Sequence, residues 1–479
     1  MHISSLPGEY GIGTLGKEAR NFADFLSSCG FTYWQILPVT ETDEYNSPYK
    51  SPSAFAGNIF LIDLEELAEE GLLAKSEIEP LKQKTPYLCE FDSVRKNRVP
   101  VLKKAFSRIG KETQAGIEKF KAANPWVAEY AGFMALSDKN KTMMWNKWKI
   151  TELDAAGTET DFYVFLQYEF FRQWKNFKDY ANNAGVKIIG DMPIYVSYES
   201  ADVFYNNKFF NLNAKGEPVS EAGVPPDYFS ADGQAWGNPL YDWQSLKKDG
   251  YKWWINRITH SLEMFDMVRI DHFRGFSAYW AIPRGKKATE GKWVKGPGID
   301  FFDALKKSAP EPSIIAEDLG DIDRDVVDLV EATGFPGMRV MQFGFIGSGE
   351  STHLPHNYIN NSAAYTGTHD NNTLLGWLWE LTPEKRERAL RYCGFLGDNW
   401  KEGGTAVRAV IRTLYQSSAG LIILPVQDLC GFGRDTRINT PGIAGDNWAY
   451  RITADQIAEI DASWFKEMNR LYERLPERN

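Results

Sequence analysis

Acidic residues follow directly after several hydrophobic, β-rich runs of this 479-residue sequence. Four of them are Asp191, Asp271, Glu317 and Asp318, and Asp370 and Asp428 follow two more runs of the same kind. A single Asp after a strand is usually a helix N-cap or turn residue, but recurrence after several strands favours a shared site. Two carboxyl groups that face each other across a glycosidic bond can act as nucleophile and general acid, the minimum equipment for retaining chemistry on a sugar.

Basic and imidazole side chains adjoin these carboxylates. Arg269 lies two residues before Asp271 on the same predicted strand, and therefore on the same face of the sheet. Its positive charge would keep Asp271 ionised and bind sugar hydroxyls, with a purely structural ion pair as the alternative. If one carboxyl group of the site acts as general acid, it must be protonated, which an apolar surrounding or a neighbouring negative charge favours. His272 and His369 each adjoin a carboxylate and could donate hydrogen bonds to hydroxyls, or occupy ordinary core or surface positions.

Helices and short strands alternate along the chain, and this alternation would bring the carboxylates together. Predicted helices at 18–29, 161–184, 251–265, 300–309, 325–333 and 406–418 precede predicted strands at 31–37, 186–192, 267–270, 313–316, 338–345 and 421–424, and further strands are predicted at 59–64 and 362–366. Eight such strands favour an α/β fold, a (β/α)8 TIM barrel, over a doubly wound sheet. In a barrel the carboxyl ends of all strands share one face, where catalysis takes place.

The chain is longer than the roughly 250 residues of a plain barrel, so we expect one catalytic domain over 1–479 with insertions. The best candidates are a charged, mostly helical stretch at about 65–150 and a turn-rich, aromatic stretch at about 197–250. The second stretch contains Tyr228, Phe229 and Trp236 among Pro and Gly residues, which is typical of an exposed loop. Such rings suit stacking on pyranose rings, with a buried satellite core as the alternative.

Composition limits the class of partner and the compartment. The formal net charge of −10 argues against nucleic acid or an anionic membrane as the main partner. Aromatic residues reach 14%, which indicates either a very aromatic core or a surface for flat apolar ligand faces such as sugar rings. The four cysteines show no CxxC spacing, and the sequence shows neither a signal-peptide pattern nor an apolar run of roughly 18 residues. We therefore expect a cytoplasmic protein.

Two motifs suggest cofactors that we do not expect. Residues 11–16 satisfy GxGxxG, but Pro7 and Gly8 stand where a strand should precede it, and no acidic residue closes a clear βαβ unit. His353 and His356 resemble a metal pair, but Pro355 lies between them and no HExxH-like partner is near. We predict no metal and no cofactor.

Three segments resemble signature regions of the α-amylase superfamily, in the right chain order. They are Val-Arg-Ile-Asp-His-Phe-Arg-Gly at 268–275, Ala-Glu-Asp-Leu-Gly at 316–320 and Thr-Gly-Thr-His-Asp-Asn at 366–371, with Asp191 standing in for the first region. Other motifs resemble, more narrowly, the amylomaltase or disproportionating-enzyme family of 4-α-glucanotransferases. They are Ser-Pro-Tyr at 47–49, Ser-Ala-Phe-Ala-Gly-Asn at 53–58, Gly-Val-Pro-Pro-Asp-Tyr-Phe-Ser at 223–230, Gly-Gln-Ala-Trp-Gly-Asn-Pro at 233–239 and Asn-Trp-Ala-Tyr-Arg at 447–451. Together the matches run from residue 2 to 451.

The resemblance implies a barrel with inserted subdomains and no C-terminal β-sandwich. It implies Asp271 as nucleophile, Glu317 as general acid/base and Asp370 as the carboxylate that distorts and stabilises the sugar at the cleavage point. The substrate-binding residues expected from the resemblance and from the residue types are Ser47, Tyr49, Asp191, Tyr228, Phe229, Trp236, Arg269, His272, His369, Asn439 and Asn447.

The expected reaction transfers a segment of α-1,4-glucan to the 4-hydroxyl of glucose or a maltooligosaccharide through a covalent glycosyl-enzyme. One alternative is α-amylase-like hydrolysis by the same carboxylates, because water and sugar compete for one intermediate. Another is a non-catalytic glycan-binding barrel, against which the intact triad argues. The expected partners are α-1,4-glucans, maltooligosaccharides and glucose, with no nucleic acid and no membrane. Lys50, Asn372 and Cys430 replace residues commoner in the family, which bears on fine substrate preference rather than on the chemistry.

Overall fold

Short parallel strands surround an apolar interior in a computed structural model that describes residues 1–153, 158–226, 231–347, 351–401, 404–443 and 445–475. The strands are β1 (Tyr33–Gln35), β2 (Lys187–Met192), β3 (Ser220–Val224), β4 (Gln234–Pro239), β5 (Met267–Ile270), β6 (Ala278–Pro283), β7 (Lys292–Lys295), β8 (Ile314–Ala316), β9 (Gly337–Val340), β10 (Ser362–Tyr365) and β11 (Leu421–Ile423). Seven of them form one parallel sheet in the order β1-β2-β5-β8-β9-β10-β11. This sheet curls into a nearly closed barrel of the predicted (β/α)8 type.

Helices separate the barrel strands. They are α1 (Lys17–Ser28), α2 (Leu64–Glu69), α3 (Lys75–Ile78), α4 (Phe91–Phe106), α5 (Lys111–Ala123), α6 (Trp126–Asn140), α7 (Thr158–Asn183), α8 (Ala201–Tyr205), α9 (Trp243–Lys248), α10 (Lys252–Met264), α11 (Ile299–Ser308), α12 (Arg324–Thr333), α13 (Leu374–Glu380), α14 (Pro383–Tyr392), α15 (Thr405–Tyr415), α16 (Val426–Cys430), α17 (Ala454–Ala458) and α18 (Ala462–Leu471). The six predicted helices correspond to α1, α7, α10, α11, α12 and α15. Among the described residues, no helix combines the length and the apolar character needed to cross a bilayer.

Local signals in the sequence set the ends of these helices. The side chain of Asp323 accepts a hydrogen bond from the N–H of Val326 at 3.1 Å and so caps the start of α12. Gly334 ends the same helix with φ of 74°, a conformation that costs little without a Cβ. α12 therefore begins and ends where its sequence provides a cap.

The predicted strand at 59–64 is wrong. This segment forms a 3-10 helix at Ile59–Leu61 and then enters α2. The side chain of Asn58 accepts from the N–H of Phe60 at 2.9 Å, and Asp63 caps α2 by accepting from the N–H of Glu66 at 2.9 Å. Capping by side chains on both sides outweighs the β propensity of the apolar residues between them. The predicted strands at 31–37 and 338–345 are also longer than β1 and β9.

A second, antiparallel sheet that the sequence did not predict has the order β4-β3-β6-β7. It is anchored near the carboxyl end of β2, because Asn238 Nδ2 donates to the carbonyl of Val196 at 2.9 Å and Tyr241 Oη donates to the carbonyl of Ile194 at 2.8 Å. The sheet therefore stands beside the mouth of the barrel.

The interior of the barrel holds its own apolar cluster. Its buried members are Ile189, Ile315, Met338, Val340, Ala363 and Tyr365, from four strands of the barrel. Tyr365 Oη also donates to Gln35 Oε1 at 2.9 Å, which joins β10 to β1 through side chains. The cluster fills the barrel below the predicted site, as expected for a closed barrel of this size.

Candidate active site

Strand register places Asp191 and Arg269 side by side inside the barrel. Asp191 of β2 pairs directly with Arg269 of β5. Ile189 belongs to the interior cluster, and residues two apart on a strand share a face, so Asp191 also points inward. Gly190 lies between Ile189 and Asp191. A Cβ at this position would lie 2.1 Å from the ring of Phe265, so a larger residue would clash with that ring. The register alone brings the carboxylate to the guanidinium.

The predicted nucleophile and general acid leave neighbouring strands at the same level. Ile270 of β5 pairs with Ala316 of β8, and Asp271 and Glu317 follow this pair. The N–H of Asp271 donates to the carbonyl of Met192 at 3.0 Å, and that of Glu317 donates to the carbonyl of Ile270 at 3.1 Å. Both residues therefore lie at the mouth of the barrel, where their backbone N–H groups are still hydrogen-bonded to neighbouring strands.

Arg269 contacts the carboxylates of both Asp191 and Asp271. Its Nη1 donates to both carboxylate oxygens of Asp191 at 2.8 Å, and its Nη2 lies 3.0 Å from Oδ1 of Asp271. The side chain of Asp191 is 0% exposed and that of Arg269 is 5% exposed. Buried charges are tolerated when they are paired and hydrogen-bonded, as these are.

Asp271 is ionised at neutral pH, although by a smaller margin than the sequence suggested. Desolvation raises its pKa to about 6, while the charge of Arg269 lowers it and that of Asp191 raises it. The guanidinium therefore acts in the expected direction, but burial outweighs it.

The pKa of Glu317 is raised well above its ordinary value. Burial is the largest cause, and the negative charge of Asp271 adds to the effect, while Arg269 and the N–H of His272 oppose it. That N–H donates to Oε2 at 2.6 Å, and the N–H of Leu319 donates to Oε1 at 3.1 Å, so the carboxyl group is fixed in orientation. Burial therefore raises the pKa of both carboxyl groups, and the strong rise at Glu317 is in the direction that a general acid requires.

Tyr49 connects two further predicted residues from the loop after β1. Its hydroxyl donates to Oδ2 of Asp191 at 2.7 Å and lies 3.1 Å from Nε2 of His369. The Tyr49 and His369 rings are stacked with centroids 5.3 Å apart. The phenol stays neutral, because burial, and then the charge of Asp191, raises its pKa.

Asp370 is held by the segment that follows β11. Asn439 Nδ2 donates to its Oδ1 at 2.6 Å, and Arg437 Nη2 donates to its backbone carbonyl at 2.6 Å. His369 Nε2 lies 3.4 Å from the same Oδ1. The Asp370 side chain is 44% exposed, so it is the predicted catalytic carboxylate with the greatest access to solvent.

His272 contributes its backbone rather than its ring to the carboxylates. Its φ is 51°, and burial lowers the pKa of the ring to about 4. The ring of Trp236 packs edge-on against it at 5.0 Å, and Trp236 Nε1 donates to Gln234 Oε1 at 3.1 Å. This contact brings β4 to the site. Tyr228 and Phe229, predicted on the same loop, lie outside the described residues.

Ser47 and Asn447 make hydrogen bonds within their own loops. The N–H of Ser47 donates to Oδ1 of Asp43 at 2.9 Å. Asn447 accepts from the N–H of Thr440 at 2.9 Å and donates to the carbonyl of Ile443 at 2.9 Å. These bonds shape the loops around the site rather than reaching the carboxylates, so substrate binding by either residue stays a prediction.

Two acidic residues that follow strands have other partners. Asp318 accepts from the N–H of Met338 at 2.6 Å. Asp428 accepts from Thr366 Oγ1 and from the N–H of Leu374, both at 2.7 Å. They tie adjacent strands and helices together, which is the ordinary use of an Asp after a strand.

Sequence reasoning missed Arg437, Trp448 and Tyr365. Trp448 packs against the rings of Tyr49 and His369, with centroids 5.8 Å away in both cases. Its signal was present, because it lies in the Asn-Trp-Ala-Tyr-Arg motif. Arg437 and Tyr365 carried no comparable signal, since their roles depend on contacts with distant segments.

Two cavities flank the ion pair. One of about 100 Å³ is lined by Arg269, His369 and Tyr365 among others, and one of about 50 Å³ by Tyr49 and Asp191. In the part of the chain that the structure describes, no group of three or more His, Cys, Asp or Glu side chains could hold a metal ion. The absence of metal and cofactor stays a prediction.

A (β/α)8 barrel that places two carboxyl groups at the ends of adjacent strands, beside a buried Arg–Asp ion pair, is typical of enzymes that act on glycosidic bonds. Residues 1–456 match a family model described as 4-alpha-glucanotransferase. A 4-alpha-glucanotransferase from Clostridium butyricum is 42% identical over 494 residues, which cover 99% of this chain and 100% of that one. The corresponding enzyme from Thermus thermophilus is 40% identical over 494 residues, covering 99% of this chain and 98% of its own.

A solved structure agrees with these relatives. An amylomaltase from Streptococcus agalactiae, in complex with acarbose, matches with a TM-score of 0.96 and 38% identity over 99% of both chains. The chain therefore belongs to the 4-α-glucanotransferase family, and its activity is α-glucan transglycosylation of the amylomaltase type. This supports the predicted transferase over the hydrolase and the non-catalytic barrel.

Proposed function

We propose that the enzyme breaks an α-1,4 bond of a maltooligosaccharide or longer glucan and transfers the donor segment to the 4-hydroxyl of glucose or another maltooligosaccharide. Asp271 is the nucleophile that forms the covalent glycosyl-enzyme. Glu317 first protonates the leaving oxygen and then, as a carboxylate, takes the proton of the attacking hydroxyl. Two inversions at the anomeric carbon retain the α configuration.

The observation that carries these roles is the placement of Asp271 and Glu317 at the ends of paired strands, with Arg269 in contact with Asp271 at 3.0 Å. Glu317 has a pKa well above the ordinary range, because it is buried and lies near the negative charge of Asp271. A nucleophile must be ionised and a general acid protonated at the same pH, and the strongly raised pKa of Glu317 favours the second of these states.

The other predicted residues bind the sugar around the bond. Asp370 stabilises the distorted sugar at the cleavage point, and Asn439 orients it. Tyr49, Asp191, Arg269 and His369 form a hydrogen-bonded surface below that sugar. Trp236, which packs against His272, lies on the acceptor side, and an acceptor stacked on its ring would exclude water and position the attacking hydroxyl. Transfer is then faster than hydrolysis, although both reactions use the same carboxylates.

The chain is one catalytic domain over 1–479 in this proposal, with insertions at about 65–150 and 197–250. The helices α2 to α6 between β1 and β2, and the sheet that contains β3 and β4, support the two insertions. The protein works in the cytoplasm, which the four free cysteines support. It needs no cofactor or metal, and neither nucleic acid nor a membrane is a partner.

The product pattern from pure maltotriose tests the proposal. Transfer produces glucose and a ladder of longer maltooligosaccharides, and reducing ends stay nearly constant because each broken bond is replaced. Chromatography of the products and a reducing-end assay measure both quantities, with and without a chelator. Reducing ends that rise with bond cleavage, with no product longer than maltotriose, would identify a hydrolase.

A further inference from the structure

The loop that carries Tyr49 has little regular structure of its own. It runs from the end of β1 to the 3-10 helix at Ile59–Leu61, and no helix or strand is assigned between them. The Tyr49 hydroxyl nevertheless has two defined partners, Asp191 at 2.7 Å and His369 at 3.1 Å. Such a loop loses entropy when it is ordered, so other contacts must hold it.

The turn just before Tyr49 is closed by its own side chains. Asp43 Oδ1 accepts from the N–H groups of Tyr45 and Ser47, both at 2.9 Å. Asn46 adopts φ of 67°, a left-handed conformation that Asn tolerates better than most residues. These bonds shape the turn, but they do not fix its position relative to the barrel.

Arg95 of α4 supplies that external contact. Its Nη2 donates to the carbonyl of Asp43 and to Oδ1 of Asn46, both at 2.6 Å, and to Oγ1 of Thr42 at 3.2 Å. One guanidinium therefore engages three acceptors of one turn. Among the described residues, the one carboxylate within 4 Å of Arg95 is that of Asp92, at 3.8 Å. The Asp92 side chain is fully open to solvent, so screening makes this ion pair weak.

A second contact from the same helical region supports the first. The hydroxyl of Tyr130 in α6 donates a short hydrogen bond to the buried carboxyl group of Glu41, one residue before Thr42. Helices α4 and α6 therefore both hold the loop, from the segment that we propose as an insertion. Arg95 differs in that it contacts the turn nearest to Tyr49.

We propose that Arg95 is a positioning residue for the transfer reaction. By anchoring the turn at 42–46 to α4, it fixes the Tyr49 hydroxyl between Asp191 and His369 and thereby aligns the sugar with Asp271. The inference rests on the proposed role of Tyr49. It gives the helical stretch at 65–150 a function in catalysis although none of its side chains is assigned to the substrate.

The test compares Arg95→Met with Arg108→Met. Arg108 follows α4 and donates to the carbonyl of Leu72 and to Glu77, so its loss removes a comparable set of bonds without touching the loop. Arg95→Met lowers kcat for maltotriose disproportionation about ten-fold, within the ~100-fold that a 1 Å misplacement can cost, with little change in KM. Arg108→Met keeps the parental kcat. Arg95→Lys recovers part of the activity, because an ammonium group reaches fewer of the acceptors.

Two further variants separate positioning from general stability. Asn46→Gly keeps the left-handed backbone but deletes an acceptor of Arg95, so we expect it to reproduce the fall in kcat. Because Arg95 is intact in this variant, the result does not depend on whether Arg95→Met folds. In a double-mutant cycle, Arg95→Met adds little to Tyr49→Phe, because both act through one hydroxyl. Melting temperatures of all variants are measured in parallel.

Each outcome has one meaning. If Tyr49→Phe is impaired but Arg95→Met and Asn46→Gly are not, the inference is overturned and the role of Tyr49 stands. Additive effects in the cycle also overturn it, since Arg95 then acts elsewhere. A Tyr49→Phe enzyme with parental kcat removes both the role of Tyr49 and the inference. Failure of the wild-type enzyme to disproportionate maltotriose refutes the proposed function itself.

Discussion

The floor and the rim of the site are built in different ways. The floor consists of Asp191, Arg269 and the two residues that continue β5 and β8, and its members are neighbours because paired strands put them in one layer. The rim consists of Tyr49, Trp236, His369 and Asp370, which lie on loops or on the antiparallel sheet. Backbone hydrogen bonds of the barrel hold the floor, whereas side chains from distant segments hold the rim.

This difference separates the chemistry from its selectivity. The floor is desolvated, so it can shift the pKa of Asp271 and Glu317 in the ways that catalysis requires. At the rim, the side chain of Asp370 is 44% exposed, against 28% for Asp271 of the floor. The rim depends on Arg437, Asn439 and Arg95 for its shape. Substitutions in the floor should therefore abolish turnover, and substitutions in the rim should change the ratio of hydrolysis to transfer.

The largest effect is expected from Asp271→Asn on the floor. Loss of the nucleophile lowers kcat by about 10⁴-fold or more, because no covalent intermediate can form. Glucan binding persists, which calorimetric titration with a maltooligosaccharide measures. Asp461→Asn is the matched control, since Asp461 caps α18 by accepting from the N–H of Trp464 at 3.1 Å, a role that Asn can also fill, so turnover stays largely intact. An Asp271→Asn enzyme within ten-fold of the parent would refute the assignment.

Glu317→Gln is expected to have the next largest effect. Turnover of maltooligosaccharides falls by about 10²- to 10⁴-fold, the usual contribution of a general acid, and less for a glucosyl fluoride, whose leaving group needs no proton. Wild-type activity is lost as pH falls through about 6, where Asp271 takes up a proton, and again at high pH, where Glu317 loses one.

The pH profile of Glu317→Gln with the fluoride donor sharpens this prediction. Its alkaline limb disappears and its acidic limb remains, because only the second carboxyl group has been removed. Because a strongly raised pKa leaves Glu317 uncharged where Asp271 titrates, its replacement by neutral Gln keeps the acidic limb near its parental position. An unchanged alkaline limb would place the general acid elsewhere.

A smaller effect is expected at the rim from Trp236→Ala. The ratio of hydrolysis to transfer rises about 2- to 10-fold, equivalent to the ~0.5–1.5 kcal/mol of an aromatic contact, with less loss in donor cleavage. Release of glucose and formation of longer products from maltotriose give the ratio. Trp379, an exposed ring that packs on Trp400 instead, provides the control. A parental ratio in a folded Trp236→Ala enzyme would exclude this ring from acceptor selection.

Much of the floor could be predicted from the sequence. Apolar runs followed by Asp191, Asp271 and Glu317 indicate strands and their ends, and alternation along a strand puts Arg269 on the same face as Asp271. In a barrel of parallel strands, the carboxyl ends of all strands lie at the same face. These are local rules of period and chirality, so one sequence is enough to apply them. The strand predicted at 59–64 failed because capping by Asn58 and Asp63 depends on side chains that the apolar pattern does not record.

The tertiary structure alone decided which contacts hold the rim and how burial acts on the pKa of the carboxyl groups. The sequence places Arg95 and Tyr130 far from the floor, and only chain packing brings them to the loop of Tyr49. The same holds for Arg437, whose guanidinium reaches Asp370 across 67 positions of the chain. The pKa of Asp271 depends on how burial balances the charge of Arg269, and burial is a property of the whole fold. Sequence periodicity determines which residues share a strand face, but long-range contacts and desolvation, which have no period, determine what those residues can do.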